Sequence, residues 1–361
     1  MTQSPKGVAG ALLLALGLAA CGTTATPKPQ PVNKKTPSTP NVSMKYPWRS
    51  HTHSSILPGD VLIADSLNNR ILIVTPGKRI VWQFPSPGTT PNLPFKMPDD
   101  AFFGPGYGQH YKEIITNEET NGTVAIISIK KKKVVWQYGV PGVEGSGPGE
   151  LNYPDDAILH NNGIVTTADI RNQRILFINR ATKKIVKQYG QTGVYNPNPP
   201  TTYGAPNGDF PGPHGEMLVT EISGSHIILL NKAGQVMWQL TLPLNYPSDA
   251  NFTPHGNIIV VSYTNPGMIL KVAPGPTLHI LWKYYVTSGP GMLHNPSLAV
   301  ELSNGNILLN DDYNDRVIVI NPKTNKIVWQ YGHTGVAGSA PGYLSRPDGL
   351  DFLPIGKVPG K

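Results

Sequence analysis

The chain has a single cysteine, Cys21, in 361 residues, so no intramolecular disulfide can staple it. Acidic residues are absent from the first 56 positions, where Lys6, Lys28, Lys34, Lys35, Lys45 and Arg49 stand unopposed. The formal net charge of +8 therefore belongs mostly to that segment, and the rest carries 24 basic against 22 acidic residues. A body so close to neutral lacks the positive field that a nucleic-acid partner would need. Charged residues make up only 14% of the chain, which argues against general disorder. No stretch after residue 20 has a convincing 3.6-residue apolar period, so helical domains are not expected. There is no Gly-x-Ser-x-Gly elbow, no His-Glu-x-x-His and no phosphate loop. The glycines of GPGYGQ at 104–109 open no helix and read as a turn.

What is present is a repeat. The segment YPDDAILHNNGIVTTADIRNQRILFINRATKKIVKQYG at 153–190 returns at 295–332 as NPSLAVELSNGNILLNDDYNDRVIVINPKTNKIVWQYG. Six copies are marked by Pro98, Pro154, Pro206, Pro247, Pro296 and Pro347, and again by Trp82, Trp136, Lys187, Trp238, Trp282 and Trp329. Each copy has four short apolar, β-branched runs separated by Gly, Pro or Asn turns. Repeats of roughly 40 to 50 residues with four strands are the mark of propeller blades. The first copy starts late, at GDVLIAD, and the missing opening stands at the far end as RPDGLDFLP at 346–354. The expectation is an all-β, six-bladed β-propeller over 57–361, its first blade completed by a C-terminal strand, and monomeric.

The N-terminal segment differs. A basic MTQSPK precedes a 13-residue apolar run at 8–20, too short to span a bilayer as a stable helix. The run ends in Leu18-Ala19-Ala20-Cys21, which resembles the bacterial lipobox. That resemblance implies a signal peptide at 1–20 and lipidation of Cys21. Residues 21–56, rich in Pro and Lys, then read as an extended tether. The expected location is extracytoplasmic, lipid-anchored to a bacterial membrane within the cell envelope. Turns rich in lysine, such as Lys130 to Lys133, fall on the ring face from which the tether enters, and we expect that face to look toward the membrane.

Three copies carry Asp-x-x-Asn-x-Arg after the second strand: Asp65, Asn68, Arg70; Asp169, Asn172, Arg174; and Asp311, Asn314, Arg316. With the Gly-rich links and the landmark prolines, these resemble the NHL-repeat propeller family. The NPKTNKIVW hairpins also look like pyrroloquinoline-quinone-type propeller repeats, which usually form rings of eight, and no adjacent Cys pair is present to contact a quinone. Physically, Asp and Asn can satisfy turn amides while Arg bonds the Asp and nearby carbonyls, a structural role.

The residue after each landmark proline starts an innermost strand at the upper channel mouth. These residues are Asp99, Asp155, Asn207, Ser248, Ser297 and Asp348, and the next positions add Asp100, Asp156 and Asp249. Carboxylates and amides are hard-oxygen chemistry suited to Ca²⁺, with Asp99, Asp155 and Asp348 as the candidate ligands or bases. His294 and Arg346 flank the mouth and could meet an anionic group. A second ring, His110, His160, His214 and His255, falls in the first-to-second-strand turns and could hold a softer metal at the lower mouth. Two functions stay open. One is a binding or scaffold module recognising an extracellular protein, glycan or small molecule through the upper loops. The other is a metal-dependent hydrolase or lyase at the Asp ring.

Overall fold

The computed structural model describes residues 56–104 and 112–354. Its 24 strands form six four-stranded antiparallel sheets, the blades of a propeller. Among the described residues the only helical pieces are four single 3-10 turns. Blade 3 shows the plan, with strands Pro154–Leu159, Ile164–Asp169, Arg174–Asn179 and Lys184–Tyr189 running outward from the axis. The two inner strands are buried on both faces, while the outermost, KIVKQY, exposes four of its six residues. This gradient explains the sequence pattern: inner strands bury both faces between neighbouring blades, and outer strands meet water. The largest apolar cluster links all six blades, from Ile63 and Ile115 through Leu218 and Val260 to Leu350.

Ring closure follows the expectation. Gly59–Asp65 pairs with Arg70–Val74 on one side and with Pro347–Pro354 on the other, so Ile63 lies opposite Leu72 and Leu350. Gly59 is required there, because a Cβ would collide with the Leu353 carbonyl of the closing strand.

The tryptophan landmarks join neighbouring blades. The Trp82 indole N–H donates to the Ile129 carbonyl, Trp136 to Arg180, and Trp329 to Pro76, each in the hairpin of the next blade, at 2.9–3.0 Å. Blade 3 has Lys187 instead, whose ammonium lies over the rings of Phe177 and Tyr189 in its own sheet.

The Asp-x-x-Asn-x-Arg motif is a clamp on the incoming inter-blade link. Asp311 Oδ2 accepts from Asn314 at 2.9 Å and from Arg316 Nε at 2.7 Å, and its Oδ1 accepts the His294 amide at 2.7 Å. Arg316, 1% exposed, also donates to the carbonyls of Pro290 and Met292 in the link. Asp65 with Arg70 and Asp169 with Arg174 repeat this arrangement. Blades 2 and 4 keep the carboxylate as Glu118 and Glu221, which accept the Lys96 and Gly204 amides at 2.7 Å.

Candidate functional site at the upper channel mouth

Four landmark prolines, Pro154, Pro206, Pro247 and Pro347, open innermost strands that are bulged immediately afterwards. In blade 3, Asp155 pairs with Ala168 but Ile158 pairs with Thr166, so one extra residue is accommodated. The same shift follows Pro206 and Pro247. A bulge breaks the strict in-out alternation of a strand, so two consecutive residues can serve one region. Asp156 takes the left-handed conformation, φ 40°, at this point, an unusual backbone for a residue with a side chain. Asp155 and Asp156 thus each join a carboxylate group near the axis.

The mouth is a polar cavity of about 310 Å³ lined by Asp99, Asp100, Glu119, Tyr153, Asp155, Asn207, Tyr246, Ser248, Asp249, Tyr263, Ser297, Tyr313, Arg346 and Asp348. Every predicted member of the upper ring, Asp99, Asp155, Asn207, Ser248, Ser297 and Asp348, lies in it, together with Arg346. Among the described residues two groups of three carboxylates could hold a metal ion, with ligand atoms within 4.8 Å of one another. The first is Asp99, Glu119 and Asp155, and the second is Asp100, Asp156 and Asp249. Glu119 thus stands in the tight group where Asp348 was expected. Asp348 lies 3.5 Å from the Arg346 guanidinium and raises the pKa of Asp99.

Asn117 joins the first group: its side-chain amide donates to Asp99 Oδ2 at 2.9 Å, the Pro154 carbonyl at 3.0 Å and Asp155 Oδ1 at 3.4 Å. This side chain of blade 2 therefore fixes two carboxylates from neighbouring blades. Toward the other end of the inner strands lies a mostly apolar pocket of about 60 Å³, lined by Phe102, Phe210, Phe252, Leu302 and Phe352 together with Asn251, Glu301 and Asp351. There Phe102 and Phe210 pack edge to face at 5.6 Å.

Electrostatics follow from this crowding. Burial first, and then neighbouring carboxylates, hold Asp99, Asp100, Asp155 and Asp249 well above the ordinary carboxylate range. Burial pushes Asp156 up to about 7, and burial with the Asp348 charge pushes Glu119 up to about 8. Burial, then nearby carboxylates, keeps the Tyr153, Tyr246 and Tyr263 hydroxyls protonated, hence available as donors. Arg346 brings positive charge to the same mouth and lies over the Tyr313 ring at 5.5 Å. The arrangement suits a hard cation held by carboxylate oxygens beneath a rim of hydroxyl donors and a guanidinium.

The structure corrects two expectations. His294 does not line the cavity; its ring packs on Tyr313 at 5.2 Å, and its backbone serves the Asp311 clamp. The histidine ring does not assemble among the described residues, where both possible metal groups are carboxylates alone. His214 and His255 are exposed, and His110 lies outside the described residues. His160 bonds Thr166 Oγ1 at 3.0 Å, and burial lowers its pKa to about 4. Cys21 also lies outside the described residues.

Sequence reasoning missed Glu119, Tyr153, Tyr246, Tyr263 and Tyr313. Two registers could have found most of them. Tyr153, Tyr246 and Arg346 each precede a landmark proline, and Glu119, Tyr263 and Asp312 each follow the clamp position at 118, 262 and 311.

No family model matches the chain, and no curated protein matches its sequence. Solved structures do resemble it. A protein of unknown function from Bacteroides caccae is 16% identical with a TM-score of 0.56, over 82% of this chain and 99% of that one. A streptogramin B lyase is 16% identical with a TM-score of 0.50, over 83% of this chain and 96% of that one. At such identity the likeness is one of fold.

Proposed function

We propose that the protein is an NHL-type β-propeller, lipid-anchored through Cys21 outside the cytoplasm, that binds a small oxygen-rich ligand at its upper mouth through a cation of the Ca²⁺ class. The observation that carries this reading is the cavity of about 310 Å³ in which carboxylates, four tyrosines and Arg346 converge. Asp99, Glu119 and Asp155 would hold the ion on one side. Its remaining coordination positions would then face the cavity, where a ligand carboxylate or hydroxyl can enter. Tyr153, Tyr246 and Tyr263 would donate hydrogen bonds, and Arg346 would meet negative charge. A concave site of this size suits a small molecule or the end of a glycan better than a flat protein surface. The clamp geometry and the Gly-rich links support the NHL-type reading, and the lipobox-like Leu18-Ala19-Ala20-Cys21 supports the anchor.

The test is ligand binding by the full chain in detergent, with Ca²⁺ and with EDTA, against sugar acids, hydroxy acids and neutral oligosaccharides. Thermal shift would screen the panel and calorimetry would measure the hits. Expected is a Ca²⁺-dependent ligand whose binding is lost in Glu119→Gln. Binding that EDTA leaves unchanged would refute the role of the cation. Cys21→Ser is expected to move the protein from the membrane to the soluble fraction.

A metal-dependent hydrolase or lyase at the same mouth is the second reading. The observation favouring it is Glu119, which burial and the Asp348 charge push up to about 8; in this reading Asp99 and Asp155 hold the ion, and Glu119 stays off it to hold and move a proton near neutral pH. Turnover of lactone or ester substrates that is absent in Glu119→Gln would select this reading over simple binding.

A further inference from the structure

At the mouth cavity, which Asp100 and Asp249 help to line, lies a second carboxylate group that ligand binding at the rim does not use. Asp100 immediately precedes the innermost strand of blade 2, Asp156 and Asp249 lie in those of blades 3 and 5, and the three are 3%, 0% and 2% exposed. Each has an Oδ1 with no hydrogen-bond partner. Each of the three also offers a carboxylate oxygen within 4.8 Å of one from each of the other two, so unpartnered acceptors from separate blades are crowded into one place. Carboxylate oxygens without donors are costly to bury and repel one another.

The backbone around them is shaped to bring them together. The bulges after Pro154 and Pro247 and the left-handed Asp156 turn the carboxylates inward. Glycine occupies the equivalent position in blades 1 and 4. A Cβ on Gly208 would lie 2.8 Å from Asp156 Oδ2, and one on Gly349 would collide with Asp100. Of the three blades that give no carboxylate here, blades 1 and 4 also give no side chain, and blade 6 gives the buried Leu298.

We propose that Asp100, Asp156 and Asp249 form a second cation site, which takes a largely dehydrated Ca²⁺-class ion and ties the inner strands of three blades together. Asp156 is outside the cavity lining and none of the three is more than 3% exposed, so an ion among them meets fewer waters than one at Asp99, Glu119 and Asp155. That favours Ca²⁺, which accepts an all-protein oxygen shell, over Mg²⁺, which keeps several waters. Asp209, with both carboxyl oxygens buried and without a hydrogen-bond partner, donates its amide to Asp156 Oδ2 at 3.3 Å and adds a further carboxyl beside the group. This site shares no ligand with the Asp99, Glu119 and Asp155 group, so it stands whether or not the mouth binds a ligand.

The test is metal stoichiometry and hydration on the full chain in detergent, stripped with EDTA and then loaded. Two equivalents of Ca²⁺ are expected by equilibrium dialysis with elemental analysis. With Tb³⁺ in place of Ca²⁺, luminescence lifetimes in H₂O and D₂O should resolve one ion with no more than one bound water beside a hydrated one. Asp249→Asn is expected to remove the dehydrated class and spare the hydrated one. Glu119→Gln should do the reverse. A dehydrated class without a hydrated one would support this site while refuting the cation at the mouth. A single hydrated class in the wild-type chain, or Asp249→Asn retaining both classes, would overturn the proposal, and the former result would mean that shared protons hold the three carboxyls together. Should Asp249→Asn fail to fold, the wild-type lifetimes decide alone.

Discussion

Gly208 of blade 4 packs against Asp156 of blade 3, close enough that a Cβ would lie 2.8 Å from Asp156 Oδ2 and 3.2 Å from Asp249 Oδ1. Gly208→Ala must displace these carboxylates, and overpacking of this kind costs about 1–3 kcal/mol. Gly349→Ala meets the backbone of Asp100, which cannot swing aside, and is expected to cost more. Urea unfolding midpoints of the two variants would check the order. Equal midpoints for both variants and the wild type would show that the inner strands have slack.

Arg316→Ala should be among the most destabilising single changes in the protein. It leaves Asp311, fully buried, without its cation, and removing one partner of a buried pair costs about 3–5 kcal/mol. The double variant Asp311→Ala, Arg316→Ala is expected to lose less than the sum of the single changes, because no uncompensated charge remains. Chemical denaturation of the three variants is the measurement, and simple additivity would contradict the clamp.

Acid should destabilise the fold through His160. Burial lowers its pKa to about 4 from the ordinary 6.5, so the unfolded chain binds a proton that the folded one refuses. Stability is therefore unaffected by this group above pH 6.5 and falls as pH drops toward 4, by up to about 3 kcal/mol. His160→Gln, which keeps a polar partner for Thr166, is expected to flatten that slope. Thermal midpoints between pH 4 and 7 for both proteins would read it directly.

Deleting residues 343–361 removes the closing strand Pro347–Pro354 and with it buried Leu344, Leu350 and Leu353. Each is a large apolar side chain worth about 1.5–3 kcal/mol when buried. Gly59–Asp65 would then be an unpaired edge, prone to join another chain. Aggregation or loss of cooperative unfolding is expected by light scattering and circular dichroism. A monomer with wild-type unfolding would contradict closure by this strand.

The ring was legible because its signals are local and repeated: four apolar runs, a turn between each, and a proline at every blade start. The displaced RPDGLDFLP gave closure for the same reason. The upper ring of Asp99, Asp155, Asn207, Ser248, Ser297 and Asp348 followed from strand order alone. Glu119 and the four tyrosines did not, because they arrive from loops whose path depends on the clamps beneath them. Tyr313 sits inside a clamp motif that sequence reasoning treated as purely structural. The histidine ring failed for a related reason. Sharing a turn in four blades brings residues to one face, but His214 and His255 point into solvent while His160 turns into its own sheet.

Five of the six blades are built from contiguous chain, but the first needs a strand made almost 290 residues after its partner. The order of synthesis and the order of assembly therefore cannot coincide. Bringing such distant segments together costs roughly 5 kcal/mol of chain entropy, which only the finished contacts repay. Five blades can form early from nearby contacts, whereas the seam has the slow kinetics of long-range pairing. During folding, the protein must pass through an open arc whose two ends are partners for each other, and equally for the ends of another molecule.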